Sequence, residues 1–215
     1  MAKGVHRITK DFEDELSRYT GAKYVIAVDN QSNALFLALT YEKVSGVDIE
    51  IPSNTYPSVP CEIIHAGGVV KFIKSGTDKL TGAYQLKPTK VWDSALRFTH
   101  NMYIENTHMC ISFTGPYKHL KLGKGGAILT DDIDAYKWFK KARFSGRSEC
   151  NYMDDDFDSE PCIGWNFYMM PEISAKGLLL ILQFYNQDGS PKANEDLTIS
   201  YPDLSQFEIY KNKLK

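Results

Sequence analysis

The stretch SFTGPYKHLKLGKGGAILT, residues 112–130, decides how this chain is read. Its first residues close an apolar run, MCISF, with the character of a strand. Gly115 and Pro116 then turn the chain, and Lys118 follows. The pair Gly125-Gly126 leads into a second apolar run, Ala127-Ile128-Leu129. Lys118 is thereby held between a turn and a glycine-rich corner, in front of a strand. A solvated lysine needs no such setting. A lysine whose amine forms a covalent bond does.

The same alternation extends outward. Residues 11–19 place Phe12, Leu16 and Tyr19 on one helical face. KYVIAV, residues 23–28, reads as a strand buried on both faces. DNQSNALFLALTYEK follows as a helix that Asn30 or Ser32 can cap, with Ala34, Leu35, Ala38 and Leu39 as its apolar stripe. DIEIP, VVKFI and KVWDSA supply three more strands, the last ending at Asp93. SNTYPSVPCEIIHAGG reads as a loop, a short helix and a glycine stop. DIDAYKWFKKARF predicts a helix with Asp131 or Asp132 near its start, and another begins near Pro171. Strands alternating with helices predict an α/β fold, a three-layer α/β/α arrangement with a mostly parallel sheet. Residues 1–185 form one domain on this reading, and 186–215 a short polar, turn-rich tail. The acidic segment 151–161 reads as a mobile loop.

Composition narrows the function. A chain of 215 residues with 43% hydrophobic and 24% charged residues is long enough for a substantial core. A formal net charge of −2 gives no electrostatic basis for nucleic acid or an anionic membrane as partner. The one basic cluster, Lys137, Lys140, Lys141 and Arg143, reads as a solvated helix face. No leader is visible and no apolar run approaches bilayer length, so a cytoplasmic location is expected. Cys61, Cys110, Cys150 and Cys162 form no CxxC pair; reduced thiols are expected and a zinc site is not.

In open α/β sheets ligands bind beyond the carboxyl ends of the strands. Asn30-Gln31-Ser32, Thr55-Tyr56, Asp93 and residues 112–118 all fall there. Each has an ordinary explanation: a helix cap, a core aromatic, a structural ion pair, a solvated lysine. Together they describe one ligand. A buried carboxylate, Asp93, keeps a ring nitrogen protonated. The helix start at Gln31 and Ser32, with the Ser112 hydroxyl, receives a phosphate. Tyr56 offers a flat stacking face, and Lys118 condenses with an aldehyde. That ligand is pyridoxal phosphate.

These residues resemble the DegT/DnrJ/EryC1/StrS aminotransferases, nucleotide-sugar enzymes of pyridoxal-phosphate fold type I. FEDELSRYTGAKYVIAVDNQSNALFLAL is similar to the family's first helix, first strand and phosphate turn. IPSNTYPSVPCEIIHAGGVVKFI is similar to the loop with the stacking aromatic, and VWDSA to the strand ending in the aspartate. SFTGPYKHLKLGKGGAILT resembles the Schiff-base lysine segment, and GWNFYMMPEISAKGLL a stretch whose asparagine reaches the neighbouring subunit's phosphate. The match spans most of residues 4–183.

The resemblance implies that Lys118 holds the cofactor and moves the proton, and that Asp93 pairs with the ring nitrogen. It implies that Gln31, Ser32 and Ser112 hold the phosphate and that Tyr56 stacks on the ring. Asn166 completes the phosphate site across a homodimer interface, with no metal involved. The implied reaction moves an amino group from an amino acid such as glutamate to a keto-sugar nucleotide. Departures accompany the match: Leu96 where glutamine or histidine is usual, Gln31-Ser32 in place of Gly-Thr, and one extra residue between Ser112 and Lys118. An arginine usual after the asparagine motif is replaced near Tyr168. The segments between Phe72 and Val91 and between Asp93 and Ser112 are short, and the small C-terminal domain is largely absent after Phe184. Two alternatives stay open: a degenerate module that binds the cofactor or a nucleotide sugar without turnover, and a pyridoxal-phosphate-dependent sugar elimination.

Overall fold

The computed structural model describes residues 6–149 and 160–211. Cys150 and most of the acidic loop, residues 151–159, lie outside the described residues. Helix α1 (Arg7–Thr20) leads into β1 (Tyr24–Val28) and α2 (Gln31–Tyr41); β2 (Asp48–Pro52), α3 (Ser58–His65) and β3 (Val69–Ile73) follow. Three short strands come next: β4 (Lys79–Thr81), β5 (Tyr84–Gln85) and β6 (Val91–Asp93). After β7 (His108–Ser112) and β8 (Gly126–Thr130) the chain forms α4 (Ile133–Ala142), α5 (Pro171–Ile181) and β9 (Thr198–Ser200).

Local chemistry sets the helix ends. Asn30 caps α2 by accepting from the Asn33 N–H, and Asp132 caps α4 by accepting from Asp134 and Ala135. Pro171 opens α5, where its missing N–H costs nothing. Gly21, at φ +80°, ends α1 in the left-handed conformation.

The five-stranded sheet has the order β1-β8-β7-β6-β5. Both neighbours of β8 are antiparallel to it, β6 is parallel to β7, and β5 is antiparallel to β6. Strands β1, β6 and β7 therefore share one direction, and the sheet is mixed. The reversal of β8 follows from its connection: residues 113–125 stay at one end of the sheet and return the chain beside β7 without a crossover. The parallel pair β2–β3 is separate, tied to the main sheet through a backbone bridge between Glu50 and Lys87. Between β3 and β6, where the resemblance expects a missing strand and helix, β4 and the two-residue β5 stand instead.

Burial on both faces makes three layers. Ile26 and Val28 of β1 join one core with Leu35, Leu39, Ile128 and Phe139; Val25 and Ala27 join the other with Phe12, Leu16, Ile111 and Leu129. Alternation along β1 thus feeds both cores, as its unbroken apolar run predicts.

One expectation is corrected here. The basic cluster along α4 is a solvated face only in part: Lys137 is exposed, but Lys140 and Arg143 are not solvated. Arg143 is 0% exposed and pairs with Glu13 and Glu149, and it donates to the Ala27 carbonyl. Lys140 bridges the same two carboxylates at 3.3 and 3.0 Å. Glu13 in turn accepts from the Ala27 N–H at 2.9 Å, so the network pins α1 and α4 to β1. The segment beyond residue 186 is bonded to the rest of the chain. Asn194 donates to the Phe98 carbonyl at 2.8 Å, β9 pairs with β4, and the buried Leu204 donates its N–H to Ser53. Among the described residues, no helix is long and apolar enough to cross a membrane.

Candidate active site

Asp93 ends β6 at 3% exposure. A carboxylate this deep requires donors. Its Oδ1 accepts from Gln31 Nε2 at 2.6 Å and from the Ala95 N–H at 2.9 Å. Its Oδ2 accepts from the Tyr84 hydroxyl at 3.0 Å, and Thr55 Oγ1 lies 2.6 Å from that hydroxyl. Burial still pushes the Asp93 carboxyl above its ordinary value, while Ala95, Gln31, Tyr84 and finally the Lys118 charge hold it down. Burial, and then Asp93, raises the Tyr84 phenol well above its usual range.

Lys118 lies in the loop between β7 and β8 at 5% exposure. Its Nζ donates to the Ala95 carbonyl, two residues past Asp93, and sits 5.0 Å from the centre of the Tyr117 ring. Burial lowers its pKa to about 8, with Asp93 opposing. At that value a useful fraction of the amine is neutral near physiological pH, as a nucleophile or proton carrier requires.

The start of α2 meets the glycine corner. Asn30 forms a backbone bridge with Gly125, and a Cβ on Gly126 would fall 2.6 Å from the Gln31 nitrogen. Only glycine allows that approach. Ser112 faces Gly126 across the ladder and accepts from the Thr114 N–H at 3.3 Å. The first-turn N–H groups of α2, Ser112 and the glycine pair thus converge at one end of the sheet. A helix N-terminus with a hydroxyl beside it suits an anion.

The structure brings Gln31, Asp93 and Lys118 into one cluster, with Ser32 and Ser112 at its edge. It turns the Gln31 side chain toward Asp93. Tyr56 is 51% exposed and meets the Tyr201 ring edge-on, with centroids 6.1 Å apart. Asn166 stands apart: it is exposed and bridges through its backbone to Phe144. Sequence reasoning missed Tyr84 and Tyr201. The only signal was indirect, since a buried Asp93 demands a donor from somewhere in the chain. The open grooves lie to one side. One of about 850 Å³ runs along β2, β3 and β5 past Lys71, Phe72 and Lys87, and one of about 260 Å³ reaches Tyr84.

Residues 5–92 match the DegT/DnrJ/EryC1/StrS aminotransferase family. That segment holds α1, β1 with the α2 cap, Tyr56 and the strand leading to Asp93. No curated protein matches the chain. Among solved structures, a putative PLP-dependent aminotransferase from Bacillus cereus is 18% identical, with a TM-score of 0.67 over 82% of this chain and 58% of that one. The Helicobacter pylori aminotransferase PseC, involved in pseudoaminic acid biosynthesis, is 15% identical, with a TM-score of 0.64 over 82% and 57%. A 3-amino-5-hydroxybenzoic acid synthase is 20% identical, with a TM-score of 0.65 over 82% and 55%. At such identities the likeness establishes the fold, that of the fold type I aminotransferases. The chain spans well under two thirds of the length of each of these structures.

Proposed function

We propose that this chain is a pyridoxal-phosphate-dependent aminotransferase, moving an amino group from an amino acid such as glutamate to a keto-sugar nucleotide. The observation that carries the reading is the pair Lys118 and Asp93: a buried amine lowered to about 8 beside a buried carboxylate, both beyond the strand ends. The donor set fits the cofactor. Pyridoxal phosphate supplies an aldehyde for a lysine to hold and a protonated ring that draws electrons from the carbon being changed. Asp93 would keep that ring protonated, releasing Tyr84, which retains Thr55 as its partner. Lys118 Nζ would hold and return the moving proton. Ser112 with the N–H groups of Gln31 and Ser32 would bind the phosphate, and Tyr56 would border the ring. Asn166, exposed on its own chain, is assigned to the phosphate site of a neighbouring copy, so the working form is a cytoplasmic homodimer with shared sites.

The first test is the visible absorbance of the purified protein with added pyridoxal phosphate, followed by borohydride reduction and peptide mapping. A reduced adduct on Lys118 supports the reading; none, or one spread over surface lysines, removes it. Amino transfer from glutamate to a keto-sugar nucleotide then tests the reaction. One observation favours a second reading, a binding module without turnover: both Asp93 oxygens already have donors within the chain. A Lys118 adduct without amino transfer to any keto-sugar would select it.

A further inference from the structure

The segment after α5 returns to the candidate site and lies across it. His119, the neighbour of Lys118, contacts the Glu195 carbonyl through Nε2 at 2.9 Å. Leu197 donates its N–H to the Leu96 carbonyl at 2.8 Å, one residue past the carbonyl that holds Lys118. The segment is therefore tied to the chain beside both partners of the Lys118–Ala95 contact. Between those two ties stands a latch: Arg97 grips Asp196 with two nitrogens, at 2.9 and 2.6 Å. Gly82, at φ +66°, makes room for it, because a Cβ there would collide with the Asp196 carboxylate. Beyond the latch, β9 pairs with β4, and Asn54 donates to the Tyr201 carbonyl at 2.9 Å. These bonds deliver the Tyr201 ring edge-on to Tyr56. Burial, and then Tyr117, Asp93 and Tyr56, raise its phenol.

We propose that residues 194–206 form a cover over the Lys118 site and that the Tyr201 ring limits the access of carbonyl compounds to the amine. The inference deepens the proposed function, resting on Lys118 as its reactive amine. Tyr117 lies 5.0 Å from the Lys118 amine and Tyr201 meets Tyr56 edge-on, so these rings narrow the approach of a carbonyl compound to the amine. Arg97 acts at one remove, as the positioning residue that keeps the segment down.

The test uses the full chain and 4-carboxybenzaldehyde with cyanoborohydride. This flat aldehyde has neither ring nitrogen nor phosphate, so it needs only access to Lys118. Peptide mapping follows labelling at Lys118 and at the ion-paired Lys140, which reports general loosening. Tyr201→Ala and Arg97→Gln are each expected to speed Lys118 labelling roughly five- to tenfold, with Lys140 unchanged. Tyr201→Phe, which keeps the ring, is expected to match the parent. Equal Lys118 rates in all four proteins overturn the proposal. So does parallel acceleration at Lys140, which would mean that the fold has loosened. If pyridoxal phosphate never labels Lys118 while the benzaldehyde rates respond as expected, the cofactor reading fails and the cover stands.

Discussion

Gln31 donates its side-chain amide to Asp93 at 2.6 Å, tying the first residue of α2 to the last residue of β6. The bond explains how an anion is tolerated between two cores. It does not remove the cost of burial, since the Asp93 carboxyl stays above its ordinary value. A carboxyl raised by folding takes up a proton more readily in the folded state. Its charge therefore penalises the fold at neutral pH, and the penalty fades as the pH falls toward the unfolded carboxyl's range near 4. Asp93→Asn should be more stable than the parent at pH 7 without cofactor, by about 1 kcal/mol. That advantage should shrink toward pH 4 in urea titrations. Pyridoxal phosphate binding should weaken by about tenfold or more in the same variant.

Lys118 gives the opposite dependence. Its pKa is lowered to about 8, so the folded state holds the proton less tightly than the unfolded chain. Between about pH 8 and the unfolded lysine's value near 10.5, the parent should gain stability as protons leave. Lys118→Met lacks this group, and its urea midpoint should stay flat over that range relative to the parent. At pH 7 the variant should be more stable by on the order of 2 kcal/mol. A parent that gains nothing between pH 8 and 10 would show that Lys118 is not desolvated.

The Glu13–Arg143 pair carries the third prediction. Both groups are buried, and removing Glu13 leaves Arg143 and Lys140 with Glu149 as their one carboxylate, a network short of one negative charge. Glu13→Gln should cost about 3–5 kcal/mol in urea unfolding. Glu149 would be raised by burial alone, but Arg143 and Lys140 bring it down to about 2. Its stabilisation is thus present above the unfolded value near 4.5 and is lost as the pH falls toward 2. Glu149→Gln should flatten that part of the acid-unfolding curve.

The misreading of Arg143 marks where the sequence stops speaking. Ala135, Phe139 and Ala142 form the buried stripe of α4, and Arg143 lies four residues past Phe139, on that same stripe. The pattern signalled burial. What it did not contain was the partner, Glu13, 130 residues away. Long elements were legible because apolar periodicity repeats within them: β1, α2, β7 and β8 stand where their patterns predict. Strands β4, β5 and β9, of two or three residues, have no period to read. The site divides in the same way. Asp93 and Ser112 sit at strand ends that the pattern locates, and Lys118 in the loop that follows one of them. Tyr84 and Tyr201 reach the site through pairings made only in the folded chain.

Gly126 connects fold and site closely enough for a last prediction. It begins β8, pairs with Val28 on one side and Ser112 on the other, and lies under the first turn of α2. A methyl group there would meet the Gln31 nitrogen at 2.6 Å and the Asn30 carbonyl carbon at 2.8 Å. Both are backbone atoms, so no side chain can swing aside, and the helix start must lift from the sheet. Gly126→Ala should cost about 1–3 kcal/mol of stability, measured by urea unfolding. Lifting α2 also draws Gln31 away from Asp93, so pyridoxal phosphate binding should fall further than after Ser112→Ala, which removes one hydroxyl and leaves the backbone in place. Equal losses in the two variants would mean that the α2 start takes no part in holding the phosphate.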